Sequence, residues 1–436
     1  MKKGYWIALG LVLVLALGLF AVACGGTAAT TTTTSVAPAT TTSTAGTETT
    51  TAPAETTTSV AANTSPLKIG IALSLTGDSA APCTQIKEGF DTEIKYLNAN
   101  GGIAGRQIEV TYVDDQSKVD TAVAAIQSLV DKKVDVIIGP FPQFCTAPAR
   151  AVTEQAKVFH IAFGPPTLAE LAEDQTKYTY SFESITGPDG EADAWVKEMQ
   201  ADGRKNVLGV GDQLPIHQEG LSVLDKSMPA ATIQWTRMTD SWGLGDTDLT
   251  PIANKIAAKV KSVKPDAIII ASNPVHVNVI IKTLKGLGVT VPIYGSGAGA
   301  HPLTMLASAG NDPANVAGNY AIGPAIVNPS AIPDDYKAKA DLIAFIKRWQ
   351  TDNPKEPFAS LFLGFSYETI HLAKLAVEGA ATQDAAGYAA AMEKVDFWGA
   401  NGHSVYSHTD HIGAHGGFMQ WQYTNGQGFK FVRELN

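Results

Sequence analysis

Short, almost wholly apolar segments recur through residues 66–436 and alternate with stretches in which apolar residues show helical spacing. Strands of a parallel sheet that is covered by helices on both faces have this near-continuous apolar composition. In the first half we predict strands at "LKIGIAL" (67–73), "IEVTYV" (108–113), "VDVIIG" (134–139), "VFHIAF" (158–163) and "YTYSFE" (178–183). The alternation predicts an α/β fold with a doubly wound, parallel-stranded lobe.

A second series of the same kind follows, with predicted strands at "NVLGVG" (206–211), "TIQWTRM" (232–238), "DAIIIAS" (266–272) and "VPIYGSG" (291–297). Two series of similar size predict two similar lobes. The tail breaks the rhythm, with helical stretches around 334–350, 359–377 and 384–394 and short strands at "GGFMQWQY" and "FKFVREL". These elements follow two complete series of strands and must pack onto the lobes that those series form. The chain is therefore predicted to cross between the lobes more than once, as in a hinge.

The predicted domain boundaries follow from these crossings. Lobe 1 comprises residues 66–186 and about 325–405, and lobe 2 comprises residues 187–324 and about 406–436. The predicted fold class is therefore α/β, with two doubly wound lobes joined by a multi-crossover hinge.

The stretch "YLNANGGIAGRQIEVTYVDDQS" (96–117) shows how local signals delimit elements. Apolar residues at helical spacing precede it: Ile86, Phe90, Ile94 and Leu97. Asn98, Asn100 and Gly101 favour the left-handed conformations that end helices. A helix is thus predicted to end here, before a buried strand and a polar turn containing two aspartates.

The chain begins with two lysines and an apolar run from Trp6 to Ala23, followed by Cys24 and two glycines. This order is typical of an export signal. The segment "AVAC" resembles a bacterial lipobox, which predicts a signal peptide over 1–24 and a lipid on Cys24. An uncleaved transmembrane anchor is the alternative, because the run is about long enough to span a bilayer. Either one places the remainder outside the cytoplasm at a membrane surface.

Residues 25–65 are nearly all Thr, Ala, Ser and Pro. Such a segment cannot bury enough apolar surface to offset its chain entropy. We predict a disordered tether between the anchor and the folded lobes.

Net charge and cysteine content limit which partners and which chemistry can be expected. The formal net charge is -10 and no strongly basic stripe occurs, so nucleic acid is not an expected partner. Cys24 apart, the chain has Cys83 and Cys145, each just after a predicted strand. An extracytoplasmic chain can pair them, and we predict a disulfide, with two isolated buried thiols as the alternative.

Motifs of several enzyme classes are absent from the sequence, namely HExxH, GxSxG, GxxxxGK[ST] and CxxC. The segments "GSGAGA" (295–300) and "GVGDQ" (209–213) depart from GxGxxG and suit strand-end turns better. Four histidines lie close together in the tail: His403, His408, His411 and His415. A polar surface turn explains them better than zinc, since no cysteine or carboxylate cluster completes a site. We predict a protein that is not an enzyme and needs no cofactor or metal.

The segment "LKIGIALSLTGDSAAPCTQIKEGFDTEIKYLNANGGIAGRQIEVTYVDD" resembles the branched-chain amino-acid-binding family of solute receptors for ABC importers. The likeness continues through "VDVIIGP", "DAIIIAS" and "GLGVTVPIYGSG", and it is stronger in the first lobe than after Pro324. It implies the two-lobed type I periplasmic-binding fold. It also implies that "NANGGIAG" is a scaffold turn and that the ligand lies between the lobes, near strand ends and helix N-termini.

The resemblance also implies a set of ligand-binding residues. Gln143 and Phe144 match a loop whose serine binds the ligand carboxylate, and Thr167 matches a threonine that binds the carboxylate and amine. The matching loops add further candidates: Thr76 and Cys83 from the first lobe, and Gln213, His217, Asn273, Ser296 and Gly297 from the second. For each residue the alternative is a turn residue without a ligand contact.

One departure from the family concerns the acid that pairs with a ligand amine, because the matching position holds Gly297. An unpaired buried ammonium is costly, so a free amino acid fits poorly unless another acid, such as Asp212 or Asp240, replaces it. Phe144 and Trp242 are predicted to form an aromatic wall. The expected ligand is amino-acid-like, or an aromatic or branched carboxylate or amide.

The expected function is that of a lipid-anchored, extracytoplasmic solute-binding subunit of an ABC importer. Its expected partners are a small solute and the permease subunits, and the protein is expected to be a monomer. The alternative is a sensor domain that presents the bound solute to a signalling receptor, since one fold serves both roles.

Overall fold

The computed structural model describes residues 65–243, 245–296, 308–355, 359–425 and 428–435. The predicted signal peptide, Cys24, the tether up to residue 64 and Gly297 lie outside the described residues. Within the described ranges, no helix has both the length and the apolar character that crossing a bilayer requires.

The strands, numbered β1 to β14 in chain order, are Leu67–Leu73, Ile108–Asp114, Val136–Ile138, Phe159–Ala162, Ser181–Glu183, Asn206–Gly211, Gln234–Arg237, Ala267–Ala271, Ile293–Gly295, Tyr320–Gly323, Asp396–Gly399, Gly402–Val405, Met419–Tyr423 and Phe429–Glu434. The described α-helices, numbered α1 to α11, are Ala80–Ala99, Val119–Asp131, Gln143–Ala156, Leu168–Leu171, Pro188–Ala201, Pro215–Ala230, Thr250–Val263, Pro274–Gly286, Lys339–Asp352, Leu361–Gly379 and Ala385–Met392.

The first lobe is built on a parallel sheet with strand order β2-β1-β3-β4-β5. One face packs against α1, α10 and α11 through a core that includes Ile69, Phe90 and Ile370. The other face packs against α2 and α3 through Ile126, Leu129 and neighbouring residues. Because helices cover both faces of the sheet, these strands do not alternate between apolar and polar residues.

The second lobe is built on a sheet of order β14-β13-β10-β9-β8-β6-β7. Strands β6 to β10 are parallel, and β13 and β14 extend the sheet as antiparallel neighbours. Helices α5 and α6 cover one face and α7 and α8 the other. The predicted α/β class with parallel sheets in two lobes is confirmed.

Within the described part of the chain, the backbone passes between the two sheets three times: after β5, after β10 and between β12 and β13. Hydrogen bonds tie these crossovers to one another. The Ala325 amide donates to the Ala400 carbonyl at 3.0 Å, and the Thr186 hydroxyl donates to the Gly416 carbonyl at 3.0 Å. Helix α10 returns to the first lobe and packs along α1, while β13 and β14 return to the second.

The turn after α1 shows why its glycines are needed. Helix α1 ends at Ala99, and Gly101 and Gly102 follow with φ of +100° and +79°. A Cβ on Gly102 would lie 1.9 Å from the carbonyl oxygen of Arg106, whereas a Cβ on Gly101 meets nothing within 4 Å. The second glycine therefore permits a close approach of backbone, and the first only a left-handed conformation.

Gly102→Ala is accordingly expected to lower the free energy of unfolding by about 2 kcal/mol, since strain and a backbone clash add together. Gly101→Ala is the matched control, because it shares the positive φ without the clash. Urea unfolding of the full-length variants measures both effects. Equal losses in the two variants would contradict the close-approach explanation.

The two aspartates of "VDDQS" hold neighbouring turns. Asp114 accepts hydrogen bonds from the Thr76 hydroxyl at 2.6 Å and the Leu75 amide at 3.0 Å. Asp115 accepts from the Ser74 hydroxyl at 2.5 Å. This pair of carboxylates thus fixes the loop that leads from β1 into α1.

Cys83 and Cys145 are buried free thiols in this structure, which differs from the predicted disulfide and agrees with its alternative. Cys83 belongs to the apolar core of the first lobe. Burial raises the pKa of each thiol to about 12. Both side chains therefore remain protonated and behave as small apolar groups.

Candidate functional site

A cavity of about 890 Å³ lies between the two lobes. Its first-lobe wall comes from the N-termini of α1, α3 and α10 and combines phenylalanine rings with polar side chains such as Gln85, Glu88 and Gln143. Its second-lobe wall comes from the N-termini of α5, α6 and α8, together with the segments after β9 and β10. Helix N-termini converge on the cavity from both sides because loops at the carboxyl ends of parallel strands lead into them.

Four phenylalanines line the first-lobe side: Phe141, Phe144, Phe362 and Phe365. The ring centroids of Phe141 and Phe362 are 6.0 Å apart, and those of Phe141 and Phe365 are 6.1 Å apart. Phe144 stands apart from this cluster and is 46% exposed. Together these rings offer an apolar surface to a bound molecule.

Several buried polar atoms of the lining lack a hydrogen-bond partner among the described residues: Gln85 Nε2, Gln143 Oε1 and Asn401 Nδ2. Gln143 illustrates the arrangement. Its Nε2 donates to the Pro166 carbonyl at 3.3 Å and to Glu219 Oε2 at 3.4 Å, which leaves Oε1 without a donor. Buried polar atoms are rarely left in this state, so such atoms are expected to contact a ligand or ordered water.

Asp212, which directly follows β6, forms hydrogen bonds with two residues of the second-lobe wall. Its Oδ1 lies 2.7 Å from His217 Nδ1, and its Oδ2 accepts a hydrogen bond from the Ser272 hydroxyl at 2.8 Å. Burial opposes ionisation of Asp212, but these hydrogen bonds and the charge of His217 lower the pKa of the carboxyl. Burial likewise opposes the charged imidazole, yet the hydrogen bond and charge of Asp212 raise the pKa of His217.

Glu191 is the acidic residue of α5 that lines the cavity, and it is buried. Burial raises its pKa, and the charge of His217 partly offsets that effect. The two acids considered from the sequence are engaged elsewhere. Asp240 pairs with Lys255 at 2.7 Å at an exposed site, and Asp212 is committed to His217 and Ser272.

Trp242 is not part of an aromatic wall, which corrects the prediction made for it. The residue is buried outside the lining, and its indole Nε1 donates to His276 Nδ1 at 3.1 Å. The Asn273 side chain accepts from the His276 amide at 3.0 Å and caps α8. Trp242 and Asn273 thus fix His276 at the edge of the cavity.

The predicted ligand-binding residues divide into three groups. Those that line the cavity are Gln143, Phe144, His217, Asn273 and Ser296. Those that the structure places outside the lining are Thr76, Cys83, Thr167 and Gln213. Gly297 lies outside the described residues.

The residues outside the lining have structural partners instead of a ligand contact. Thr76 donates to Asp114, and Thr167 forms a capping box with Glu170 at the start of α4. Cys83 packs in the first-lobe core, and the Gln213 amide donates to the Trp242 carbonyl at 2.9 Å. Each side chain lies beside the site without reaching the cavity.

The tail histidines have separate roles. His411 is buried and stacks on Phe182 with centroids 4.1 Å apart, while His415 pairs with Asp410 at 2.7 Å. Over the described ranges, no group of three or more potential metal-ligating side chains is found.

Sequence reasoning missed Glu191 and His276. A weak signal existed for His276, because the sequence repeats a Pro-x-His pattern after two neighbouring strands, at 215–217 and 274–276. Both segments start helices with Pro at the first turn and place a histidine at the third position. Glu191 had no comparable signal, since an acid in the first turn of a helix is common at the protein surface.

Known proteins resemble the chain in sequence and in fold. A Leu/Ile/Val-binding protein homologue of Brucella abortus is 31% identical over 106 residues, which are 24% of this chain and 29% of that protein. The Leu/Ile/Val-binding protein BraC3 of Rhizobium johnstonii is 23% identical over 231 residues, which are 52% of this chain and 60% of that protein. The chain therefore matches less than two thirds of each of these curated relatives.

Solved structures match over a longer span. An extracellular ligand-binding receptor from Rhodopseudomonas palustris aligns with a TM-score of 0.71 at 21% identity, covering 84% of this chain and 99% of the other. The substrate-binding protein LivJ from Streptococcus pneumoniae, in complex with isoleucine, aligns with a TM-score of 0.66 at 22% identity and the same coverage. At these identities the likeness establishes the two-lobed fold alone.

The model of the periplasmic binding protein family matches residues 66–427, which is most of the chain. This span contains every strand of both sheets except β14 and every described residue that lines the cavity between them. The chain belongs to the periplasmic binding protein family.

Proposed function

We propose that this protein is the extracytoplasmic solute-binding subunit of an ABC importer and captures a small solute in the cavity between its lobes. The observation that carries the proposal is the cavity itself, which combines phenylalanine rings with buried polar atoms that lack a partner among the described residues. Binding pockets of proteins have this composition, with mostly apolar walls and a few placed polar groups.

The lining favours a solute with an apolar body and a polar end. Phe144, Phe362 and the rings beside them suit the apolar part, and the second-lobe residues suit the polar part. Glu191 supplies an acid that the sequence comparison with the family did not reveal. In its ionised form Glu191 suits an amine-bearing solute, and in its protonated form it suits the aromatic or branched carboxylates and amides expected from the sequence.

Capture is proposed to close the lobes. A solute that touches both walls binds the closed state more tightly than the open one, so it shifts the population toward closure. The three crossover segments are the places where such a hinge motion is absorbed. The closed form then docks on the permease, while a lipid on Cys24 and the Thr-rich tether keep the protein at the membrane.

Thermal shift measurements on the full-length protein test this proposal. The panel comprises amino acids, aromatic acids, branched acids and amides, after native mass spectrometry has identified any solute that copurifies. A solute that binds only the folded protein raises the melting temperature, and the rise grows with the logarithm of its concentration above the Kd. If no compound of any class raises the melting temperature, the importer function is contradicted.

Gln143→Ala is expected to weaken the binding of a solute found in this panel by about fivefold to tenfold, the effect of losing one hydrogen bond. Gln213→Ala is the matched control, because that glutamine is exposed and lies outside the lining. Isothermal titration calorimetry measures both variants. Equal affinities of Gln143→Ala and the wild type would remove Gln143 from the site.

A further inference from the structure

Two histidines in the second-lobe wall, His217 and His276, have their Nδ1 atoms committed to protein partners. Asp212 accepts several hydrogen bonds and its pKa is lowered, so it is an ionised acceptor and His217 Nδ1 must be the donor. The indole of Trp242 can only donate, so His276 Nδ1 must be an acceptor. The two imidazoles are therefore fixed in different ways.

The consequence at the other ring nitrogen is the same in both residues. A histidine whose Nδ1 accepts a hydrogen bond carries its proton on Nε2, so His276 presents an Nε2–H donor. Burial lowers the pKa of His276, which agrees with this neutral form. In His217, whose pKa Asp212 raises, the cation carries protons on both nitrogens and also presents an Nε2–H donor. Among the described residues, neither Nε2 atom has a hydrogen-bond partner.

The fold brings these two donors to one wall. His217 and His276 occupy the first turns of α6 and α8, which follow the adjacent strands β6 and β8. Each helix has proline at its first position, which removes one backbone N–H donor. The imidazoles supply donors at these two positively polarised helix ends. His217 is itself only 8% exposed, and the Ser296 hydroxyl in the same wall interacts with the Glu191 carboxyl.

We propose that His217 and His276 form a paired donor site for an oxygen acceptor, the carboxylate or carbonyl group, of a solute whose apolar body lies against Phe144 and Phe362. This inference rests on the proposed function and names the class of solute. Trp242 is a positioning residue, because it acts only through the tautomer of His276.

The acidic groups nearby are compatible with this assignment. His217 is faced by Asp212 from the β6 end and by Glu191 from α5, and the lining also contains Asp78 and Glu88 of the first lobe. Burial raises the pKa of Glu191, and its protonated form donates a hydrogen bond to an acceptor instead of repelling it. Binding of a carboxylate is therefore expected to weaken as the pH rises and both Glu191 and His217 lose their protons.

Nitrogen-15 NMR of the histidine-labelled full-length protein tests the geometry without any ligand. At neutral pH, His276 is expected to be neutral with its proton on Nε2, and at pH 6, below its raised pKa, His217 is expected to carry both protons. A proton on Nδ1 of His276 would overturn the inference. In Trp242→Phe, which retains an aromatic ring, His276 is expected to become a mixture of tautomers. A merely structural role of Trp242 would lower the melting temperature and leave the tautomer unchanged.

Three probes with one ring and different polar ends test the ligand class: phenylacetate, 2-phenylacetamide and 2-phenylethylamine. Shifts of both Nε2 signals with phenylacetate alone would identify a carboxylate site, and shifts with the amide as well would identify a general carbonyl site. Shifts with the amine alone, or with none of the probes, would overturn the inference. If other solutes still raise the melting temperature, the proposed function survives that outcome, and if no solute does, both fail.

His276→Ala is expected to weaken the binding of phenylacetate about tenfold, as measured by titration calorimetry. His408→Ala is the matched control, since this histidine has a side chain that is 68% exposed, pairs with Glu393 and lies outside the lining. An unchanged affinity in His276→Ala would exclude His276 from the site.

Discussion

Arg150→Met is expected to lower the free energy of unfolding by about 3–5 kcal/mol, which is the effect of removing one partner from a buried ion pair. Arg150 of α3 is 1% exposed and forms an ion pair with Glu183 of β5, which is fully buried. Its guanidinium also lies 4.4 Å from the ring centroid of Tyr178. The variant leaves Glu183 in the interior without its partner. Because burial raises the pKa of this carboxyl to about 8, urea unfolding is measured at pH 9, where the carboxylate of the wild-type pair is charged.

The double variant Arg150→Met with Glu183→Gln is expected to recover most of that loss, because replacing both members of a buried pair is often nearly neutral. Lys87→Ala serves as the control, since Lys87 pairs with Asp91 on the surface of α1 and such pairs contribute little. A loss below about 1 kcal/mol in Arg150→Met would contradict this account. The result also concerns the site, because the pair joins α3, which carries Gln143 and Phe144, to the strand that precedes the first crossover.

Asp212→Asn is expected to lower the free energy of unfolding by about 2–3 kcal/mol near pH 6, since hydrogen bonds to charged groups contribute about that much. The carboxylate interacts with His217, Ser272 and the Leu214 amide, and asparagine keeps the shape while removing the charge. Urea unfolding of the wild type and the variant across a pH series measures the difference. Asp225→Asn is the control, because Asp225 pairs with Arg237 at a more exposed position.

The sign of the pH dependence follows from the two pKa shifts. The pKa of His217 is raised from its ordinary value of 6.5. Its contribution to the free energy of unfolding is therefore complete below pH 6.5 and is lost as the pH rises through the folded-state pKa. Because the pKa of Asp212 is lowered from 3.8, its contribution is present above that pH and is lost as the pH falls through the folded-state pKa. The free energy of unfolding of the wild type should therefore exceed that of Asp212→Asn most between about pH 4 and 6.5. A difference that grew toward pH 9 would contradict a stabilising ion pair between Asp212 and His217.

Local signals in the sequence were sufficient for the elements of the first lobe. The predicted strand "LKIGIAL" is β1 without a shift, and the helix ends at Ala99, between the predicted stop signals Asn98 and Asn100. Strand lengths were predicted less well: "VDVIIG" contracts to Val136–Ile138 and "YTYSFE" contracts to Ser181–Glu183. Apolar composition reports burial, and buried residues continue beyond those that pair with a neighbouring strand.

The site was predicted only in part. Gln143, Phe144, His217, Asn273 and Ser296 line the cavity, whereas Thr76 and Thr167 hold turns beside it. A position at the end of a strand or the start of a helix can be read from the sequence, but the direction of its side chain cannot. The Thr167 side chain accepts a hydrogen bond from the Glu170 amide in a capping box, because Glu170 lies three residues further along the chain.

Hydrophobic period and turn residues act over short distances along the chain, so they were enough to predict the α/β class, the two lobes and the strand ends near which the loops lie. Three features arise from long-range packing alone: Glu191 lines the cavity, Asp212 pairs with His217 and Trp242 orients His276. Trp242 and His276 are 34 residues apart and lie in different segments. Whether such side chains meet depends on how helices pack across strand ends, which composition and periodicity leave open.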